Sequence, residues 1–191
     1  MKKIVFDIET SNDFIAAGSN DPAALDMSCV CIYDYETDTY SSFTQENIKD
    51  LWPIFEKAEL LIGFNSDHFD IPVLNKYYSG DLTKIKSLDL LKEVKKSLGR
   101  RIKLDTIAEA TLGRNKTGHG MDAIIWWKAG EKQKVIDYCI EDVKITKDIY
   151  EYALKNKTLK YVDGKEIKEI AIDTSDWDKK DGGSMTFTLP F

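Results

Sequence analysis

Three places along the chain carry carboxylates that the surrounding pattern does not call for. In Phe6-Asp7-Ile8-Glu9-Thr10, two acids interrupt a strand otherwise written in Ile, Val and Phe. Residues two apart on a strand share a face, so Asp7 and Glu9 project together while Phe6 and Ile8 point the other way. In Asn65-Ser66-Asp67-His68-Phe69-Asp70-Ile71-Pro72, Asp70 falls where an apolar strand gives way to a helix whose first turn suits Pro72. In Tyr138-Cys139-Ile140-Glu141-Asp142, the i to i+4 spacing sets Tyr138 and Asp142 one turn apart on one helix face. Converging carboxylates are hard oxygen donors, suited to Mg2+ or Mn2+ without help from His or Cys. Each station alone has an ordinary explanation. Asp7 and Glu9 suit a solvated edge strand, Asp70 an N-cap, and Tyr138 with Asp142 a core aromatic beside a solvated acid.

The elements that must position these residues can be read from hydrophobic period. Strands are expected at 2–8, 29–35 and 39–44, giving an antiparallel start, with a further buried strand at 60–64. A helix entry at Thr44-Gln45-Glu46-Asn47 leads into helical spacing up to Ala58. Helical patterns then cover 73–78, 88–98, 104–112, 121–127 and 132 to about 154. The sum is an α/β fold, a mixed sheet under helical cover. Past Asn156 a hairpin is expected, with strands at 159–162 and 166–172 about an Asp163-Gly164 turn, and 173–191 reads as polar and irregular. We expect a main domain over 1–155 and an appendage over 156–191. The appendage suits a partner-docking arm, a cover for the sheet edge, a substrate clamp or a partly disordered tail.

Composition bounds what these residues can serve. A chain of 191 residues, 42% hydrophobic, suits one globular domain with a small appendage. No apolar run approaches the roughly 20 residues that cross a bilayer, and Ile4-Val5-Phe6 is too short for a signal-peptide core, so a soluble, cytoplasmic protein is expected. The formal charge of −6 argues against a protein that coats nucleic acid by charge alone. It leaves room for an enzyme whose acids gather cations. Cys29, Cys31 and Cys139 form no CxxC pair, and their apolar neighbours point to reduced, buried thiols rather than zinc ligands.

Taken together and in order, FDIET, NSDHFDIP and YCIEDV resemble the three motifs of the DEDD superfamily of 3'-5' exonucleases, which has an RNase H-like fold. The second motif looks most like that of family B DNA polymerase proofreading domains. The likeness spans about residues 2 to 150 and includes the segment Leu104 to Gly113 followed by Lys116. A histidine-bearing branch would place His where Asp137 stands, so the tyrosine-bearing branch is the better match. The resemblance implies a mixed sheet whose first three strands are antiparallel and whose others are parallel. It implies two divalent cations, Mg2+ or Mn2+, with Asp7 bridging them, Glu9 and Asp142 completing the nucleophile-side site, and Asp70 holding the second ion largely through water. Tyr138 would orient the attacking water, since a phenol of pKa about 10 is a better orienter than sole base.

The implied activity is metal-dependent hydrolysis from the 3' end of a single-stranded or frayed nucleic acid, DNA favoured over RNA, releasing nucleoside 5'-monophosphates. Asn65, Thr10 and Phe69 would meet the strand, and Lys116 and His119 in the loop GRNKTGHG are further candidates. Lys92, Lys95, Lys96, Arg100, Arg101 and Lys103, with only Glu93 opposing, form a candidate phosphate-tracking patch or else a solvated helix end. Trp126 and Trp127 suit core and rim better than base stacking. Two alternatives remain: a metal-dependent endonuclease of the same fold, and a nucleic-acid-binding or docking module without catalysis.

Overall fold

The computed structural model describes residues 1–114 and 120–179. Its sheet has the order β3-β2-β1-β4-β5, from β1 (Lys3–Thr10), β2 (Met27–Asp34), β3 (Thr39–Thr44), β4 (Leu60–Gly63) and β5 (Ser87–Asp89). β2 lies antiparallel to both β1 and β3, whereas β4 is parallel to β1 and β5 to β4. This is the mixed sheet of an RNase H-like fold. β1 is central in it, so the solvated edge strand offered as an explanation of Asp7 and Glu9 is excluded.

Helices flank the sheet: α1 (Phe14–Ala17), α2 (Trp52–Glu56), α3 (Asp70–Asn75), α4 (Leu90–Leu98), α5 (Leu104–Leu112), α6 (Gly120–Lys128) and α7 (Lys132–Asn156). The alternation of β1 decides which core each side chain enters. Ile4, Phe6 and Ile8 join Val30, Ile32 and Leu61 in a core with Leu51, Phe55 and Leu74. Val5 joins Cys29, Cys31 and Ile62 beneath Val135, Cys139 and Val143 of α7. By the period of two, Asp7 and Glu9 belong to this second face, under the long helix. Each large apolar side chain buried on either face contributes about 1.5–3 kcal/mol, which holds β1 in place despite its acids.

Several boundaries differ from the periodic expectation for local reasons. β1 continues to Thr10, so Glu9 lies on the strand proper. Ser87–Asp89 pairs with β4 where a helix was expected to begin at Leu88, because a three-residue strand has no alternation to read. The helix expected up to Ala58 is split into a 3-10 turn at Ile48–Asp50 and α2, with Pro53 in the first turn of the second piece. The loop after β1 contains α1 and a 3-10 turn at Pro22–Ala24, each opened by an Asp side chain.

β6 (Thr158–Asp163) and β7 (Glu166–Ala171) form the expected hairpin, with Gly164 supplying a φ of 68° in the turn. The hairpin is stitched to α5, where Thr111 Oγ1 donates to the Lys160 carbonyl at 3.0 Å and accepts the Lys160 amide at 2.9 Å. Beyond it the chain returns to α7. Trp177 stacks on Tyr150 with ring centroids 5.6 Å apart, and Tyr150 donates its hydroxyl to Asp178 at 2.7 Å. The tail from 180 onward lies outside the described residues.

Candidate metal and nucleic-acid site

β1 outruns its parallel neighbour. β4 pairs with it only at Lys3, Ile4 and Val5 and ends at Gly63, so amides farther along that edge lose a strand partner. Asp70, the first residue of α3, takes up one of them: its Oδ1 accepts the Ile8 amide at 3.2 Å. The N-cap explanation of Asp70 therefore fails. Phe69 occupies the cap position without a side-chain bond, while the Asp70 carboxyl reaches across to the strand. Burial pushes the Asp70 pKa up to about 8, with the charges of Asp89 and Asp142 adding to it and the amides of Asp70 itself and of Ile8 opposing. Mutual repulsion of the acids is thus the smaller cause of that shift, and desolvation the larger one.

The turn that delivers Asp70 is held from beneath by a residue the sequence pattern concealed. The helical pattern over 88–98 takes in Asp89, which closes β5 instead. There its Oδ1 accepts the amides of Asn65 at 2.8 Å and Leu91 at 3.0 Å, and its Oδ2 that of Asp67 at 3.3 Å. Asn65 has a φ of 65°, a left-handed conformation that Asn tolerates better than most residues. Ser66 folds so tightly over β4 that a Cβ on Gly63 would stand 2.5 Å from its own Cβ.

Asp142 and Tyr138 come from α7, whose buried stripe runs through Val135, Tyr138, Cys139, Asp142, Val143, Thr146 and Ile149. Both polar residues occupy the face turned to the sheet, so Asp142 is not the solvated helix acid of the ordinary explanation. The structure brings a carboxylate oxygen of Asp7, Glu9 and Asp142 within 4.8 Å of one another. Asp70 stands outside that group, turned to its amide. An all-oxygen donor set so closely gathered fits a hard divalent cation. Tyr138 is buried one turn before Asp142, its ring edge-to-face on Trp126 at 5.8 Å.

A cleft of about 550 Å3 opens over Asp7 and Asp142, lined also by Asn65, Arg101, Lys103 and Asp105. Arg101 reaches over it and donates to the Asn65 side-chain oxygen at 2.6 Å. The basic stretch is thereby divided. Lys92 pairs with Asp67 at 2.6 Å and Arg100 with Asp163 at 3.2 Å, whereas Arg101 and Lys103 face the cleft. Asp105 was not singled out from the sequence, and Arg101 only as one member of a run.

The remaining candidates are placed less uniformly. Thr10 is buried beside an irregularity in the β1–β2 register, its hydroxyl donating to the Asn12 carbonyl at 2.9 Å. Phe69 is half-buried and meets Phe14 edge-to-face at 6.4 Å. Trp126 and Trp127 are half-buried, as core and rim require. Lys116 and His119 lie outside the described residues.

No curated protein matches the chain. Among solved structures it resembles the family B DNA polymerase from the hyperthermophilic archaeon Pyrobaculum calidifontis, with a TM-score of 0.63 and 18% identity over 81% of this chain and 24% of that one. The chain thus spans about a quarter of that polymerase, and the likeness is one of fold. The RNase_H superfamily is matched over residues 4–154, an interval that takes in every acid from Asp7 to Asp142, and the chain belongs to that superfamily.

Proposed function

We propose that the protein is a metal-dependent 3'-5' exonuclease of the tyrosine-bearing DEDD type, acting on single-stranded or frayed ends with DNA preferred. The observation that carries this reading is the gathering of Asp7, Glu9 and Asp142 within 4.8 Å, two of them, Asp7 and Asp142, lining a cleft that Arg101 and Lys103 border. Bound Mg2+ or Mn2+ would acidify the attacking water and offset charge on the phosphate. Asp7, Glu9 and Asp142 would hold the cations through their carboxylate oxygens, and Asp70, once released from its proton, would add a fourth carboxylate. Tyr138 orients the water. Arg101 and Lys103 draw the backbone phosphates into the cleft, and Asn65 is steered by Arg101 toward the strand. One water is consumed as the P–O3' bond breaks, leaving a nucleoside 5'-monophosphate and a new 3' hydroxyl.

The test uses 5'-labelled linear and circular DNA and RNA with Mg2+ or Mn2+, for the wild-type chain and Asp7→Ala. A ladder growing from the linear 3' end and absent in the variant is the expected result. Cutting of circles would favour an endonuclease instead, and binding without cutting would favour a docking module.

A further inference from the structure

Beside the carboxylates, the same sheet face carries sulfur. The antiparallel register sets Asp7 opposite Cys31 and Glu9 opposite Cys29, and α7 lowers Cys139 onto the pair. All three thiols are free and fully buried, and their Sγ atoms lie within 4.8 Å of one another. Cys139 Sγ is 3.3 Å from the Asp7 carbonyl oxygen and 3.6 Å from Asp7 Oδ2, and Cys31 Sγ is 3.7 Å from the Ile136 carbonyl. The spacing that argued against zinc ligands misses this set, because the third thiol comes from a distant helix rather than from a CxxC pair.

We propose that Cys29, Cys31 and Cys139 form a binding site for one soft d10 cation of the Zn2+, Cd2+ or Cu(I) class, separate from the oxygen site beside it. An ion about 2.3 Å from each of three sulfurs in a plane needs them about 4.0 Å apart, within the observed limit. Ligand softness sorts the two neighbouring sites: thiolates select the d10 ions, while carboxylates select Mg2+ and Mn2+. The donors stand on β2 and α7, elements packed into one core, so little ordering remains to be done on binding. As each sulfur–metal bond forms, the S–H proton leaves to solvent, and no electrons are transferred. Cys139 must then give up its contact with Asp7, which makes it the link between the sulfur and oxygen sites. The assignment does not rest on the nuclease reading, because it is read from sulfur–metal bonds rather than from activity.

The test titrates the full chain with Cd2+ in excess Mg2+ and a phosphine reductant, both on the folded protein and during refolding from urea, so that burial cannot hide the site. Near-ultraviolet thiolate-to-cadmium absorption should saturate at about one ion per chain with release of about three protons. Cys29→Ser, Cys31→Ser and Cys139→Ser should each weaken binding at least about tenfold, while Glu9→Gln keeps the absorption. Absence of the absorption by both routes, or its persistence unchanged in all three serine variants, overturns the proposal.

Discussion

Asp70 sits in the fold with its carboxyl spent on the Ile8 amide and its pKa pushed up to about 8, chiefly by burial. An acid whose folded pKa exceeds its unfolded value holds its proton more tightly in the native state. Without metal, it therefore costs stability as pH rises from about 4 toward 8, and the cost is constant above that window. In chelator, the denaturant midpoint of the wild type should fall across the window, and Asp70→Asn should flatten the slope; parallel slopes would refute the assignment. On the proposed function, Arg101, which lines the cleft, meets the phosphates rather than the bases. Arg101→Ala should weaken single-strand binding evenly across sequences and reduce the salt slope by about one, measured by anisotropy on a labelled 3' tail. At this scale the acids of β1 and α7 were legible because strand and helix periods dictate the face on which each lies. Asp89 and the Arg101–Asn65 pair were not, since one hides within a helical pattern and the other joins residues 36 positions apart.

Among the elements, β4 is short and ends on a residue that cannot be enlarged. Gly63→Ala would set a Cβ 2.5 Å from that of Ser66, so the turn carrying Asn65 to Asp70 must shift. A loss of about 1–3 kcal/mol is expected from urea unfolding, together with weaker metal binding because Asp70 moves with the turn. An unchanged midpoint would show that the turn yields freely. The long helix was legible to within a turn because its buried stripe keeps one period over its whole length. β5 was illegible for the opposite reason: three residues pairing at a sheet edge leave no pattern, and the Leu-rich helix after it extends its own period backward over them.

For the molecule as a whole, we propose that residues 1–155 carry the chemistry and that the described part of the appendage, 156–179, buttresses it. Leu159, Tyr161, Ile170, Ile172 and Trp177 share the buried cluster of Val5 and α7, so the buttress is packed into the sheet face beneath α7 rather than hung from it. Trp177→Ala removes the ring stacked on Tyr150 and should cost about 3–5 kcal/mol in chemical denaturation. Saturating Mg2+ or Mn2+ should raise the melting temperature, a hundredfold excess over Kd contributing about 2.7 kcal/mol, and chelator should reverse it. A melt indifferent to both would count against a metal centre. The bond from Asp70 to Ile8 spans 62 residues and crosses from α3 to β1 past the point where β4 stops pairing. Closing so long a crossover costs more loop entropy than pairing β1 with β2, its neighbour in sequence. On the proposed activity, hydrolytic competence belongs to the folded chain alone: Asp7 and Glu9 of β1 and Asp142 of α7 lie far apart in sequence and meet only through packing, so an unfolded chain carries no assembled site.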